Sequence, residues 1–439
     1  MMRLLILPLI LALSAGVVVQ AQPAPPVTPP AVDLSKALGL QELEALALAN
    51  NPAMAIAAQS VNQADAGVTR ARAAQMPDLT FNLNATQSHV LSGGASGTGT
   101  GLTGTTRNAS LALSQTFYQS GLREQIEASR AAARAARFGQ TDTRRTLVLE
   151  VAQNYFTALA AVGLADVAMR AIAASQQHLD LVDARIERGT AAKSDRYPFE
   201  VELAQARLDA ISADNTAKTS LTTLRRSLGL PATTQIKIHE AKPLAPYSGK
   251  LEDLIQTAYA ARPDIRQAVE NAAAARQSLR VAEIQAGPVL TVAGTADYGR
   301  HTGVTGDQWQ VSAGVSLPLF DAGTLRAAVD NARASWRIAE EDVRAKQLDV
   351  SAEVERSYLN LAEATERITA AEAAVTSAQV SLNAARDRYT ADVGTVIDVT
   401  DAELKLRQVE ADRVKARYDR DTSLAALRAS IGESLATAP

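Results

Sequence analysis

The segment Trp309-Gln-Val-Ser-Ala-Gly-Val-Ser-Leu-Pro-Leu-Phe-Asp-Ala-Gly323 decides the fold, because it joins two different hydrophobic periods. From 309 to 317, apolar residues alternate with Gln, Ser and Gly, which predicts a β-strand with one apolar and one polar face. After Gly323, apolar or small residues step by threes, fours and sevens, as in a coiled coil, at 350, 354, 358, 361, 368, 375, 382, 385 and 389. This spacing predicts a helix of roughly 67 residues, which would span roughly 100 Å.

The same arrangement of residues occurs twice in the chain. Pro318-Leu-Phe-Asp-Ala-Gly323 matches Thr116-Phe-Tyr-Gln-Ser-Gly121, and Thr257-Ala-Tyr-Ala-Ala-Arg-Pro263 matches Leu46-Ala-Leu-Ala-Asn-Asn-Pro52. Arg388-Tyr-Thr-Ala-Asp392 likewise aligns with Arg185-Ile-Glu-Arg-Gly189. Matches in the same order at a shift of roughly 200 residues predict a duplicated unit.

Each unit is predicted to read helix, strand, strand, long helix, helix. The predicted organisation is a signal peptide at 1–21, a proline-rich leader at 22–40, a first repeat at 41–230, a linker at 231–250, a second repeat at 251–432 and a tail at 433–439. The predicted helices are 41–75, 122–188 and 194–228, then 251–285, 324–390 and 396–431; the predicted strands are 78–88, 108–118, 288–298 and 308–319. The flanking helices are about half as long as the long ones, so two stacked end to end would match one long helix.

The N-terminus has the features of a cleavable export signal. Arg3 precedes an apolar run from Leu4 to Val19, and Val19 and Ala21 supply the small residues of a cleavage site. No later stretch approaches the roughly 20 apolar residues that cross a membrane as a helix. Any further membrane insertion is therefore expected to use strands.

The predicted strands have the length of transmembrane β-strands, about 9–11 residues. Aromatic residues lie in or beside them, as in the girdles of outer-membrane barrels: Phe81, Phe117, Tyr118, Tyr298, Trp309 and Phe320. An ordinary sheet half-buried against the helices would show the same alternation. Because four strands cannot close a barrel and open edges are not tolerated in hydrocarbon, the lipid-facing interpretation requires several copies to share one barrel. Two, three or four copies all satisfy that requirement.

Composition excludes several other classes of function. The chain has 439 residues, no cysteine, and 44 basic against 47 acidic residues, so it lacks the basic surface expected for nucleic-acid binding. It also lacks thiolate metal ligands and a site for lipid attachment to an N-terminal cysteine. The four histidines are dispersed, and no nucleophile motif is present. We therefore expect no metal, no cofactor and no enzymatic activity.

In its order of elements, its duplication, the Pro318–Gly323 segment and Asp398-Val-Thr-Asp-Ala402 after a long helix, the chain resembles the TolC-like outer-membrane efflux protein family. The resemblance covers about residues 40–432 and implies a homotrimer in the outer membrane of a Gram-negative bacterium. The implied fold is α+β, with a 12-stranded barrel in outer-membrane lipid and a 12-helix periplasmic tunnel. It also implies docking to a periplasmic adaptor protein and an inner-membrane pump. Such a channel would conduct substrates passively in efflux or type I secretion.

Two aspartates are candidates for a constriction at the periplasmic tip of the tunnel. Asp398 and Asp401 are three residues apart at the start of a helix, so both can project from one face. In a trimer each would form a ring of carboxylates, which selects cations, and the resemblance implies that these aspartates narrow the entrance. The alternative is that Asp near a helix N-terminus serves as a cap.

The resemblance also implies a latch at this tip. In the family, a Tyr and an Arg on one tip reach Asp and Thr on the other; the matching residues here are Tyr389, Asp195 and Ser194. The Arg position is Gly394, so half of the latch is missing, and Arg388 or Lys193 is the candidate replacement. In the turns, Gly189 keeps the family glycine, whereas Asp392 replaces it in the second repeat. We therefore expect a loosely closed gate.

A function of a different class also fits the helical pattern. The chain could be a periplasmic coiled-coil scaffold or adaptor whose strands form a water-soluble sheet. A channel should fractionate with the outer membrane and require detergent, whereas a scaffold should not.

Overall fold

The structure is a computed structural model of the chain, and it describes residues 36–92, 100–240, 249–301, 304–391 and 393–433. The predicted signal peptide, most of the proline-rich leader, part of the linker, Asp392 and nearly all of the tail lie outside the described residues. The first repeat contains β1 (Ala37–Leu38), α1 (Leu40–Asn50), α2 (Pro52–Ala73), β2 (Asp78–Ser92), β3 (Thr100–Gln119), α3 (Leu122–Glu187) and α4 (Arg196–Ser227). The linker contributes β4 (Lys237–Ile238), which pairs with β1 in parallel. The second repeat contains α5 (Leu251–Ala261), α6 (Pro263–Ile284), β5 (Val289–His301), β6 (Val304–Ser316), α7 (Thr324–Thr390) and α8 (Val396–Ser430).

The first predicted helix of each repeat is two helices, so the continuous helices 41–75 and 251–285 were wrong. The chain leaves the helical conformation at Asn51 (φ −70°, ψ 127°) and at Arg262 (φ −68°, ψ 127°), each directly before a proline. The proline ring excludes the helical region for the residue that precedes it and starts a new helix at its own position. The break therefore follows from Pro52 and Pro263.

These two breaks are the joints at which short helices stack. In the first repeat, the Asn51 side-chain amide donates a hydrogen bond of 2.7 Å to the Ser227 carbonyl at the end of α4. In the second, the Arg262 guanidinium donates one of 3.0 Å to the Ser430 carbonyl at the end of α8. The C-termini of α4 and α8 leave carbonyl groups without a partner inside the helix. The residue that precedes the next helix of each stack donates a hydrogen bond to one of them. The helix α2 therefore lies end to end with α4, and α6 lies end to end with α8, as predicted.

The long helices α3 and α7 organise one layer. The helix α3 packs on both stacks, the pair α2 and α4 on one side and the pair α6 and α8 on the other. The stack of α6 and α8 also packs on α7. The layer consequently has two open edges, one formed by α2 and α4 and the other by α7. Among the apolar positions of α7 that were predicted to repeat as in a coiled coil, which we call its seam, Val350, Val354 and Leu382 are buried, as predicted.

The four long strands form one antiparallel sheet in the order β2-β3-β5-β6. Its register places Leu79 opposite Leu113, Leu113 opposite Gly294 and Gly294 opposite Val311, so the apolar positions of all four strands share a face. Thr80, Ala112, Thr295 and Gln310 are among the residues of the other face. On the apolar face Trp309 is 78% exposed, and Val311 and Val315 are each 69% exposed, so the described helices leave this face uncovered.

The strand bounds differ from the predicted ones. Strands β2 and β3 pair as far as Ser92 and Thr100, so β2 extends beyond the predicted end at 88 and β3 begins before the predicted start at 108. Strand β6 ends at Ser316 rather than 319, because Pro318 lacks the N–H that a ladder requires. A register shift between Thr116 and Tyr118 places Phe117 in a β-bulge near the end of β3.

Each long helix begins at a glycine that links it to the sheet. Gly121 precedes α3 and Gly323 precedes α7, and both have φ of 88°. This left-handed region is unfavourable for residues with a Cβ atom. The equivalent conformation at equivalent positions confirms the duplication at the level of the backbone.

The helix α3 contradicts the prediction that no later stretch is apolar enough to cross a membrane as a helix. An 18-residue window of α3 has a mean hydropathy of 1.6, so this helix is long and apolar enough, by composition, to cross a membrane. A third of that window is buried inside the protein, and Val151, Tyr155 and Phe156 in this helix are fully buried. The central helix of a packed layer needs apolar residues facing several neighbours, which accounts for its composition.

Candidate functional site at the helical tips

The candidate site lies where each long helix turns into the helix that follows it. We call the turn 188–195 between α3 and α4 the first tip, and the turn 391–395 between α7 and α8 the second tip. Gly189 ends α3 with φ of 73°, and a single turn of 3₁₀ helix, Lys193–Asp195, precedes α4. The first tip therefore has the glycine turn that was predicted, while Asp392 of the second tip lies outside the described residues.

Asp398 caps the helix α8. Its carboxylate accepts hydrogen bonds from the Thr395 backbone N–H (2.9 Å) and hydroxyl (2.7 Å), and the Thr395 hydroxyl accepts one from the Asp398 N–H. These hydrogen bonds from Thr395, together with the charge of Arg388, hold the pKa of the Asp398 carboxyl below its usual range. The carboxylate thus stays ionised in mildly acidic solution, and it is exposed at the tip.

Asp401 lies on the same helix, one turn further on, and is also exposed. Two exposed carboxylates therefore lie in the first two turns of α8. Asp398 has the capping role that the sequence offered as the alternative, whereas Asp401 is outside the capping box. Capping of α8 does not exclude a role of Asp398 in a constriction, because capping uses only part of the hydrogen-bonding capacity of a carboxylate.

The residues of the expected latch make other contacts within the chain. One Asp195 carboxylate oxygen accepts from the Ala192 N–H at 3.2 Å, and the other accepts from the Ser194 hydroxyl at 3.3 Å. Tyr389 is only 9% exposed and packs with Leu382, Ala385 and Val399. The latch between Tyr389 and Asp195 stays a prediction.

Arg185, near the end of α3, connects the two tips. Its guanidinium lies 4.5 Å from the centre of the Tyr389 ring, and its Nη1 donates a hydrogen bond of 3.2 Å to the Tyr389 carbonyl. The contact joins residues that are 204 positions apart. Sequence reasoning had used Arg185 only as a marker of the duplication.

Gly394 stands where the family places an arginine, and the structure limits what can stand there. A Cβ atom at this position would lie 3.0 Å from both the Tyr389 nitrogen and the Arg388 Cβ atom. The N–H groups of Val393 and Gly394 both donate to the Arg388 carbonyl, which closes the end of α7. Gly394 therefore avoids a clash with the end of α7.

We call α3 with α4 the first hairpin and α7 with α8 the second. Buried polar contacts join the two hairpins at a distance from the tips. His178 on α3 lies 3.0 Å from the Glu403 carboxylate on α8, and Arg386 on α7 contacts the same carboxylate at 3.4 Å. Burial alone would raise the pKa of Glu403, but the hydrogen bond from His178 and the nearby positive charges hold it below its usual range.

A second buried contact lies further along the same helices. Glu202 on α4 accepts hydrogen bonds from the Ser175 hydroxyl on α3 (2.8 Å) and from Arg407 on α8 (2.9 Å). Sequence reasoning missed all of these residues. In the sequence, these residues could be noticed only as charged or polar side chains on helix faces that are otherwise apolar.

A second set of candidate residues lies on the sheet. Phe81, Tyr298 and Trp309 are all exposed on its apolar face, because Phe81 pairs with Leu111, Leu111 with Ala296 and Ala296 with Trp309, and Tyr298 lies two residues after Ala296 on the same strand. Phe117 in the bulge, Tyr118 after it and Phe320 after β6 are exposed at the end of the sheet nearest the helices. Within the part of the chain that the structure describes, no group of three or more His, Asp or Glu residues is placed to hold a metal ion.

The sequence matches the family described as "Outer membrane efflux protein" over residues 43–230 and 254–433. It is 25% identical over 412 residues to outer membrane protein TolC of Vibrio cholerae serotype O1, covering 90% of each chain. It is 27% identical to the pyoverdine export outer membrane protein OpmQ of Pseudomonas putida, covering 90% of this chain and 85% of that protein.

The fold is similar to those of solved outer-membrane proteins. The outer membrane protein VceC of Vibrio cholerae superposes with a TM-score of 0.74 at 20% identity, covering 90% of this chain and 96% of that chain. The open state of the MtrE outer membrane channel of Neisseria gonorrhoeae gives a TM-score of 0.73, also at 20% identity, covering 90% of this chain and 89% of that chain. The two matched segments correspond to the two repeats, and these neighbours are channels or outer-membrane proteins rather than enzymes or soluble scaffolds. The chain belongs to the outer membrane efflux protein family and is an efflux channel of the outer membrane with a periplasmic portion.

Proposed function

We propose that the chain works as a homotrimer whose sheets form one barrel through outer-membrane lipid and whose helices form a periplasmic tunnel. The observation that carries this proposal is the sheet, in which the apolar face is uncovered and the edge strands β2 and β6 each lack a neighbour on one side among the described residues. Unpaired strand edges are costly in hydrocarbon, so β6 of one copy must pair with β2 of the next. The family to which the chain belongs supports three copies.

The helical layer supports the same head-to-tail assembly. Exposed apolar side chains on α4 recur at helical spacing at Tyr197, Val201, Leu208 and Ile211. The other edge, α7, exposes Ile338, Leu348, Leu359 and Val380. Two different apolar edges on one chain make a heterologous contact, and such contacts generate a ring when the rotation closes. The polar face of the sheet would then line the pore.

We infer that Asp398 and Asp401 form the narrowest, cation-selective part of the tunnel. Both are exposed at the second tip, and Asp398 stays ionised because Thr395 and Arg388 stabilise its charge. Rings of carboxylates favour cations. The channel is passive, so a periplasmic adaptor protein and an inner-membrane pump would supply selection and energy.

Native mass spectrometry of the detergent-solubilised protein tests the assembly. We expect three copies for the wild type and dissociation for the double variant Leu208→Glu and Ile211→Glu, since charges at the α4 edge would be buried against α7 of the next copy. Thr216→Glu adds a charge at an exposed position of the same helix that is neither three nor four residues from any member of this stripe, and it should leave the trimer intact. A wild-type monomer, or a double variant that remains fully trimeric, would contradict the proposed interface.

A further inference from the structure

We propose that a collar of arginines at the membrane end of the long helices binds the head groups of anionic phospholipids in the leaflet that faces the periplasm. The collar consists of six exposed residues, Arg123, Arg130 and Arg134 of α3 and Arg326, Arg333 and Arg337 of α7. The inference rests on the proposed trimeric channel, and it names a lipid partner for the helices next to the barrel.

The collar recurs in both repeats. Its three arginines in α3 align with the three in α7 at the same constant shift that aligns Tyr155 with Tyr358. Contacts inside the protein do not explain this recurrence, because they differ between the repeats. Arg134 pairs with Glu270 at 2.8 Å, whereas the equivalent Arg337 forms no ion pair with a described residue. The two members of the collar nearest the sheet form none either, so their charges are available to a partner.

The membrane end of the helical layer is basic, although the chain as a whole is slightly acidic. The last ten residues of α2 and α6 and the first sixteen of α3 and α7 contain eleven arginines and five acidic residues, a net charge of +6. The whole chain has a net charge of −3. Basic clusters beside a membrane attract anionic lipids. The charge of this end is therefore complementary to an anionic leaflet.

The collar lies on the outer side of the helical layer. Arg123 and Arg130 are seven residues apart and Arg134 is four residues further on, so all three project from one side of α3. The same side carries Tyr155, three heptads after Arg134, and its hydroxyl donates a hydrogen bond of 2.8 Å to the His239 carbonyl in the linker. A linker packed on the inner side would obstruct a tunnel. The side that carries both the linker and the collar consequently faces outward.

The collar begins at the level of the lipid head groups. Tyr118 and Phe320 are exposed at the end of the sheet nearest the helices, where aromatic residues mark the edge of the hydrocarbon. Arg123 and Arg326 lie only about 2–3 Å along their helices from the first helical residue. The head-group layer on each side of the hydrocarbon is about 5–8 Å thick, so these two arginines lie within it.

The other four members of the collar add a longer-range attraction. They lie about 12–20 Å along the helices, beyond the head-group layer. Salt screens charges over about 8–10 Å, so their effect on a lipid is weaker than that of the first pair. Arg123 and Arg326 are therefore the members whose loss should matter most.

Lipid titrations in native mass spectrometry of the detergent-solubilised trimer test the contact. We expect the wild type to bind phosphatidylglycerol more tightly than phosphatidylcholine. The double variant Arg123→Gln and Arg326→Gln should weaken phosphatidylglycerol binding by about fivefold at each site, which equals about 1 kcal/mol, and leave phosphatidylcholine binding unchanged. Lysine at both positions should retain most of the binding, because the attraction is mainly electrostatic.

The control is the double variant Arg144→Gln and Arg170→Gln. It removes the same number of charges from exposed positions of α3. These positions lie about 33 Å and about 72 Å from the first residue of the helix, far beyond any head group. The control should bind both lipids as the wild type does.

Three results would overturn the lipid contact: equal binding of the two lipids by the wild type, unchanged phosphatidylglycerol binding in the collar variant, or an equal loss in the control. Release of phosphatidylglycerol by inorganic phosphate would overturn it as well, because it would indicate a site for free anions. A monomeric wild type in the same spectra would contradict the proposed assembly, whereas a trimer without lipid preference would contradict only the lipid contact.

Discussion

Glu44 is a buried carboxyl that should make the protein less stable at neutral pH than at acidic pH. The residue is 3% exposed in α1, and neither carboxylate oxygen has a hydrogen-bond partner among the described residues. Burial raises the pKa of Glu44 from 4.5 to about 7. The aligned residue of the second repeat is Ile255, which packs against an apolar cluster, so the two repeats differ at this point.

The size of the effect follows from the change in pKa. In the unfolded chain Glu44 loses its proton near pH 4.5, while the folded protein retains it to about pH 7. Stability therefore falls as the pH rises between these values and is constant above them. A difference of about 2.5 pKa units corresponds to a cost of about 3 kcal/mol at pH 8.

Chemical unfolding of the detergent-solubilised protein from pH 4 to pH 8 measures this cost. Glu44→Gln should be more stable than the wild type by about 3 kcal/mol at pH 8, and the difference should vanish near pH 4. Glu44→Ile, which copies the second repeat, should be at least as stable as Glu44→Gln. Glu42→Gln is the control, because Glu42 is exposed and its bond to the Gly39 N–H can be made by an amide. A difference between Glu44→Gln and the wild type that does not change with pH would refute the reasoning.

Three further predictions follow from the packing and the sheet. Arg407→Met leaves the partly buried Glu202 without its ion-pair partner and should cost about 1–3 kcal/mol in chemical unfolding, whereas the double variant with Glu202→Leu should recover most of that loss. Val311→Arg places a charge on the apolar face, away from the aromatic girdle, and should cost about 2–4 kcal/mol in refolding into bilayers, while Gln310→Arg on the polar face should cost little; equal costs would contradict the assignment of the faces. Gly323→Ala meets no neighbouring atom, so its expected loss in chemical unfolding, about 1–2 kcal/mol, comes from the left-handed backbone alone, and an unchanged stability would remove that explanation.

The long elements could be predicted from the sequence because their signals are local and repeated. The period of α7 and the alternation of β6 depend on neighbouring residues, and the duplication doubles the signal. The breaks at Asn51 and Arg262 were also encoded locally, by the prolines that follow, but an uninterrupted apolar pattern concealed them. The bulge at Phe117 could not be predicted, because it depends on how β3 pairs with β5.

The candidate site was predicted less completely than the fold. The acidic positions at the start of α8 could be named because the resemblance marks them, and their capping geometry follows from the Thr395-x-x-Asp398 spacing. The contact of Arg185 with Tyr389 joins distant parts of the chain, and the pair Glu202 and Arg407 is separated by 205 positions. Such pairs depend on which helix faces meet, and a single sequence does not specify this.

Ion selectivity in a planar bilayer under a salt gradient is the most direct test of the central claim that the chain forms a channel constricted by carboxylates. The double variant Asp398→Asn and Asp401→Asn removes the charges, while an amide at 398 can still accept the hydrogen bonds from Thr395 that cap α8. We expect cation-selective openings for the wild type that persist at pH 5, and a loss of selectivity in the double variant. Wild-type openings without cation preference, or no openings from a fully inserted trimer, would contradict the account.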